Sequence, residues 1–443
     1  MKVLAGVFAA VLVVTACTSQ PPGGATAQGG EADRELTAPV SITLWHAQTG
    51  SLARALSDLV AQFNSTNGQG ISVVLVYQGN AEQLAQKTQG AIQAGTLPEL
   101  VVGPEAVNLE YQRSGVVLDL DPYLGSPRNG LDAASRDDLF RTYLDANRSP
   151  QIGGKLYGFP FARSLLVMYE NDDVLRASGQ ASPRTWEEFE KVARAVTART
   201  GDGKVTRHGW AVPLSASVFL GWVISRGGQL MSEGSAAVAW DGREGIEALK
   251  LFQKLLHEGI AYVPRGFDQQ ADFGGGKVAF VHDASGDRPF FASAFPRERR
   301  VAWSVVSLPQ ADAGRPKTVQ HGTNLSAFRS TPPKQLASWL FMKWFTGKEQ
   351  TAEWAVRSGY QPVRASAADT GALRAHWASD TQGKQAFDLT ATAVPEPSVR
   401  GQQDIRTVIE DLLKAVATGK ATDVEQAVKE AGIKANQILK DAR

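Results

Sequence analysis

Ser41-Ile42-Thr43-Leu44, Ile71-Ser72-Val73-Val74-Leu75-Val76-Tyr77 and Leu100-Val101-Val102 are three short apolar and β-branched runs, and what separates them decides the fold. After Ser51, read as a helix cap, Leu52, Leu56, Leu59, Val60 and Phe63 recur at the spacing of one helical face. Asn64 to Gly70 is a turn cluster. A second helix opens at Asn80, runs through Leu84 and Ile92 and closes at Gly95. Strand, helix, strand, helix, strand predicts an α/β fold with a parallel sheet covered on both faces. Ligands of such sheets bind beyond the carboxyl ends of the strands. Trp45 and His46 follow the first run and Glu105 follows the third, so geometry nominates them. Trp45 fits equally as a core residue capping the sheet, and Glu105 as a solvated loop carboxylate.

Upstream, Lys2 precedes the apolar run Val3 to Val14, which is too short to span a bilayer, and the run ends in Val14-Thr15-Ala16-Cys17. This resembles a bacterial lipobox, in which the cysteine becomes the mature N-terminus and carries lipid. Cys17 is the single cysteine among 443 residues, which suits lipidation better than a disulfide. Residues 1–17 therefore read as a lipoprotein signal. Residues 18–38, rich in Gly, Pro, Ala, Gln and Ser, read as a flexible tether. The expected location is the outer face of a membrane, exported and lipid-anchored, or the periplasm.

About 400 residues remain, more than one ordinary core holds, so two domains are expected. Lys and Arg number 46 against 45 Asp and Glu, without a charge block, which argues against a nucleic-acid partner. Gly153-Gly154-Lys155 is a turn, and Leu165 to Tyr169 a strand that opens a second α/β unit. Thr185-Trp186-Glu187-Glu188 matches a capping box for a helix to about Thr200, and Trp186 in its first turn either leans over a crevice or staples the surface. Gly242 to Gly259 holds a helix that Gly259 closes. Phe273-Gly274-Gly275-Gly276-Lys277 lacks the upstream Gly and the following Ser or Thr of a phosphate loop, and reads as a turn before the strand Val278 to Val281. Beyond Pro332-Pro333 come helices over Gln335 to Phe345 and Glu349 to Arg357, and an amphipathic helix over Gln403 to Val416.

The six histidines, at 46, 208, 257, 282, 321 and 376, have no metal-ligand spacing, so neither a metal nor a cofactor is expected. No nucleophile elbow or dinucleotide glycine pattern appears, which favours binding over catalysis. A glycosidase stays open, because its two carboxylates can lie far apart in sequence. Arg406 falls in what reads as the first turn of its helix. A cation there opposes the helix dipole at about 0.3–1 kcal/mol, yet stands well for an anion. The guanidinium would present a planar fork to phosphate, or pair with Glu410 one turn on.

Trp45-His46, Tyr77-Gln78-Gly79-Asn80-Ala81-Glu82-Gln83, Ala352-Glu353-Trp354, Gly359-Tyr360-Gln361-Pro362 and Asp404-Ile405-Arg406 together resemble family 1 extracellular solute-binding proteins of ABC importers. Within that family the glycerol-3-phosphate-binding group is most similar. The resemblance implies two α/β lobes closing on a ligand as a hinge, with crossings near Tyr157 to Tyr169, Ala279 to Ala284 and Gly322 to Arg329. The lobes would be residues 39–160 with 283–330, and 161–282 with 331–443. It also implies a ligand site of Glu105, Ser164, Trp186, Gly322, Tyr360 and Arg406, with Glu105 on glycerol hydroxyls and Ser164, Tyr360 and Arg406 on phosphate. The family's tyrosine after Gly-Asn is Ala81 here, and a crossing-strand serine is Ala284, with Ser285 beside it. Two lost hydroxyls leave room for a glycerophosphodiester, such as glycerophosphocholine, or for a sugar. The implied partners are a small polar ligand and the permease subunits of an ABC transporter, with the binding protein itself a monomer.

Overall fold

The computed structural model describes residues 28–104, 107–296 and 301–442. Its strands are β1 (Val40–His46), β2 (Ile71–Tyr77), β3 (Leu100–Pro104), β4 (Phe159–Asn171), β5 (Ala198–Arg199), β6 (Val205–Ala211), β7 (Ala261–Tyr262), β8 (Val278–Ala284), β9 (Trp303–Val306), β10 (Thr318–Ala327) and β11 (Ala393–Pro395). They pair in the order β2-β1-β3-β10-β4-β8-β6-β5, with β11 on β10, β7 on β6 and β9 on β4. β1 is parallel to β2 and β3, as the opening motif predicts, while β10 runs antiparallel to both β3 and β4.

Local chemistry sets most of the boundaries. Asn80 accepts from the backbone of Gln83 at 2.9 Å while the Gln83 side chain returns to the Asn80 N–H, so Ala81–Ala94 starts from a complete capping box. Thr185 and Glu188 make the same reciprocal pair ahead of Trp186–Val196. That helix ends four residues earlier than the sequence pattern suggests. Ala198 and Arg199 instead pair with β6, after the helix-averse β-branched pair Val196-Thr197. Ser51 is not a cap. The helix is Gly50–Thr66, and Thr49 precedes it without a side-chain bond. Proline is welcome in a helix's first turn, where its missing N–H has no partner to lose, so Pro332–Phe345 begins three residues before Gln335.

Each half of this one sheet is covered by its own apolar packing. The first core joins Ile42, Leu44, Leu56 and Phe63 to Trp339, Phe341 and Trp354. In the second lobe Trp210, Trp222, Phe252 and Ile409 fill one sheet face, and Val167, Phe273 and Phe291 fill the other. β4 threads between the lobes. It is buried along its whole length, with Phe159 and Phe161 in the first core and Leu166 and Met168 in the second. β10 crosses beside it. It pairs with β4 from Gln320 to Leu325 and with β3 from Thr323 to Ala327.

The expected lobe boundaries differ from this packing in two places. Ala279 to Ala284 does not cross, because β8 pairs with β6 and with the second-lobe half of β4. β9 pairs with that half too, so residues 283–296 and 303–306 sit in the second lobe. Conversely, the helices Pro332–Phe345 and Lys348–Ser358 belong to the first core through Leu336, Trp339, Phe341 and Trp354. Pro332–Phe345 is apolar on most faces, which declares burial but not which sheet it covers, and Lys348–Ser358 follows it into the same core through Trp354.

Candidate functional site

Where β4 and β10 cross between the cores, a cavity of about 490 Å³ opens. Six segments supply most of its wall. β4 supplies Ser164, β10 supplies His321 to Thr323, and the turn after β8 supplies Gly286 and Asp287. Tyr360 and the pair Glu396-Pro397 follow, and the helix Gln402–Ala417 contributes Gln402, Gln403, Arg406 and Glu410. Ser164, Gly322, Tyr360 and Arg406, four of the residues nominated from sequence, thus converge from segments up to some 240 positions apart.

Each is held by identifiable bonds. The Gly286 N–H donates to Ser164 Oγ at 2.9 Å, which leaves the serine proton available. Ser285, also nominated, is fully buried behind Ser164. Its Oγ accepts from the Leu165 N–H at 3.0 Å and stands 3.3 Å from Ser164 Oγ, so it supports the wall and does not line it. Tyr360 follows Gly359, whose φ of 80° favours glycine, and its ring lies parallel to Trp354 at 6.4 Å. A Cβ on Gly286 would stand 3.1 Å from that ring, so the tyrosine rests on bare backbone. Burial raises the Tyr360 pKa, with Asp287 adding, and keeps the hydroxyl a donor. At Gly322 a Cβ would come within 2.0 Å of the Ala162 carbonyl, so close strand approach alone requires glycine there.

Arg406 is not in the first turn. The helix starts at Gln402, making Arg406 its fifth residue, so the dipole argument loses force. Nor does it pair with Glu410, whose carboxylate accepts from the Ala216 N–H at 3.3 Å. Its guanidinium bonds Glu396 and reaches Ser217 Oγ with both terminal nitrogens at 3.2 Å. Burial holds His321 below the ordinary histidine range, with Glu396 opposing and Arg406 and Arg163 adding. Asp287 is pushed up to about 7, first by burial and then by the neighbouring Asp283, with which it shares a hydrogen bond.

Among the described residues, three polar atoms on cavity-lining residues are buried and have no hydrogen-bond partner: Thr323 Oγ1, Glu396 Oε1 and Gln402 Oε1. Leaving such groups unpaired costs about 1–3 kcal/mol each, so these three gain most from a polar partner in the cavity. None of the three was picked out from sequence. The readable signal for Glu396 is its place between Pro395 and Pro397 in a short connecting segment, a setting that a solvated surface charge does not need.

Two nominated tryptophans do not reach this cavity. Trp186 is 4% exposed in the second-lobe core, where it packs edge-on to Phe189, with the Arg226 guanidinium 3.8 Å from its ring. The helix amphipathicity that starts at Trp186 turns its face inward. Trp45 sits in β1 between Val76 and Val101 and packs with Leu84 and Tyr111. Ala81 lines a neighbouring, mostly apolar recess of about 320 Å³ that shares Pro104 and Thr323 with the cavity. Glu105 and Cys17 lie outside the described residues. No cluster of three or more His, Cys, Asp or Glu able to hold a metal occurs among the described residues.

Comparison with known proteins agrees with this architecture. The sn-glycerol-3-phosphate-binding periplasmic protein UgpB of Salmonella typhimurium is 22% identical over 422 residues, covering 92% of this chain and 94% of that one. The sugar-binding protein MalE of Xanthomonas citri superposes with a TM-score of 0.79 at 21% identity, over 91% of this chain and 98% of its own. UgpB of Mycobacterium tuberculosis, solved with glycerophosphocholine, superposes at 0.75 with 20% identity, over 91% and 99%. The family profile of bacterial extracellular solute-binding proteins matches residues 58–382. With the two-lobed fold and the polar cavity between its lobes, this match establishes that the chain belongs to the bacterial extracellular solute-binding proteins, the substrate-binding components of ABC importers.

Proposed function

We propose that this importer component captures a glycerophosphodiester. The observation that carries the reading is the convergence of Ser164, Tyr360 and Arg406 on one cavity in which Arg406 already shares its charge with Glu396. A doubly charged phosphomonoester would face the Glu396 carboxylate at close range. A phosphodiester carries one charge, and a zwitterionic headgroup none in sum, so either is repelled less. Glu105 is assigned to the glycerol hydroxyls on the strength of the family resemblance, and Ser164, Tyr360 and Arg406 to the phosphate. Cys17 carries the lipid that tethers the protein to the outer face of the membrane, where it hands its ligand to the permease.

Calorimetry on wild type and Arg406→Ala tests the assignment with glycerophosphocholine, glycerol-3-phosphate and maltose. A charge-assisted contact contributes about 1.5–3 kcal/mol, so the substitution should weaken glycerophosphocholine by roughly 10- to 150-fold. Arg406→Lys should recover part only, since an ammonium has no planar fork. The second reading is an oligosaccharide, favoured by Glu396 Oε1 and Gln402 Oε1, two unpartnered acceptors suited to sugar hydroxyls. Tight maltose binding without phosphodiester binding, and a silent Arg406→Ala, would select it.

A further inference from the structure

We propose that Glu396 sets the charge specificity of the cavity, acting both as the clamp that aims Arg406 and as a direct acceptor for the ligand. The inference rests on the reading of this cavity as the ligand site.

The carboxylate is delivered by backbone pairing. β11 aligns with the start of β10, Pro395 opposite Gln320, and the Glu396 N–H continues the ladder by donating to the Gln320 carbonyl at 3.2 Å. Prolines on both sides restrict the segment, so the side chain emerges in one direction. It is 7% exposed. Oε2 bonds the Arg406 guanidinium, and Oε1 is buried without a partner on a residue that lines the cavity. Half of the carboxylate therefore orients Arg406, and the other half is an unspent acceptor.

Two functional consequences follow. Oε1 accepts a hydrogen bond from a ligand hydroxyl or a contact from a cationic headgroup, which a purely structural ion pair would not. The negative charge also offsets Arg406, so the cavity discriminates by ligand charge. Neutral and zwitterionic molecules are accepted, singly charged ones tolerated and doubly charged ones disfavoured. Glu410 and Asp287 also line the cavity, but Glu410 accepts from Ala216 and Asp287 is hydrogen-bonded to Asp283, so neither opposes Arg406 directly.

The test is the ratio of affinities for glycerol-3-phosphate and glycerophosphocholine, by calorimetry at pH 7.5, in wild type, Glu396→Gln, Glu396→Ala and the control Glu425→Gln. Glu396→Gln keeps the shape and removes the charge. It should shift the ratio toward glycerol-3-phosphate by roughly tenfold, with the shift shrinking as salt is raised. Glu425→Gln, an exposed carboxylate paired with Lys250 away from the cavity, should leave it unchanged. A ratio unchanged in Glu396→Gln and Glu396→Ala, with both ligands weakened equally, would leave Glu396 a structural clamp and overturn the inference. Arg406→Ala separates the two levels of argument. If it too leaves both affinities unchanged, the cavity reading itself is wrong. If it weakens binding while the Glu396 variants leave the ratio fixed, only the specificity role fails. Should Glu396→Ala unfold, the isosteric Glu396→Gln still decides.

Discussion

Gly322 is matched to a ligand-site glycine by resemblance, but the structure gives it a reason to be glycine with no ligand present, and Gly322→Ala separates the two. The added methyl would stand 2.0 Å from the Ala162 carbonyl oxygen, 3.1 Å from its carbon and 3.3 Å from Arg163 Cα. These are backbone atoms, so no side chain can swing aside. β10 must move from β4 by more than an ångström, or both strands must distort at the bulge between Thr323 and Asn324. Overpacking of this kind costs about 1–3 kcal/mol, and stretching one or two ladder hydrogen bonds adds about 1 kcal/mol each. A loss of about 3 kcal/mol is expected, with ligand affinity falling because the wall carrying His321 and Thr323 shifts. Gly371→Ala is the control, since nothing lies within 4 Å of a Cβ there. It should be neutral or slightly stabilising, because alanine narrows the unfolded ensemble. Urea unfolding without ligand and calorimetry with it give both numbers. If Gly322→Ala unfolds within about 0.5 kcal/mol of wild type while binding is lost, the crossing tolerates a side chain and the close-approach argument is refuted.

Glu170, buried beside Ser182, and Asp287 are both pushed up to about 7, chiefly by burial. The folded state then binds protons that the unfolded chain releases near pH 4, so stability is fullest below that value and is lost as pH rises through 7. Glu170→Gln should flatten the decline measured by urea unfolding between pH 5 and 8, by up to a few kcal/mol, and an unaltered slope would count against the assignment. Cys17→Ser should move the protein from the membrane to the soluble fraction. Membrane retention of the mutant would remove the lipid anchor from the proposal. Because the cavity takes walls from both lobes, small-angle scattering should show a smaller radius of gyration at saturating ligand, and an unchanged profile would speak against closure.

The parallel opening of the sheet was legible because its signals are local. Asn80 with Gln83, Thr185 with Glu188, Gly95 and Gly359 each act within one turn of the chain. Period-two and period-3.6 patterns say which face is buried, and at β1, β2 and their helices they say so correctly. Membership of a lobe is a different kind of fact. Trp339 and Phe341 announce burial equally well in either core, and only the tertiary contact with β1 and Phe63 decides between them.

The same distinction explains the site. Ser164, Gly322 and Tyr360 were reachable only through motifs carried over from a family, because nothing local marks them, and the local argument for Arg406 rested on a first-turn position that it does not occupy. Trp186 shows the limit of that route: an aromatic at a helix start fits a crevice and a core alike, and here Arg226 and Phe189 hold it in the core. For Glu396 the sequence offers only its two flanking prolines. Its meaning depends on a strand of three residues pairing with β10 and on a guanidinium ten positions further along the chain. Once those are in place, a residue that composition counts as one more acid becomes the counterweight to the cavity's arginine. Ligand charge is then read from a difference between two neighbours, and a substitution at either one changes it.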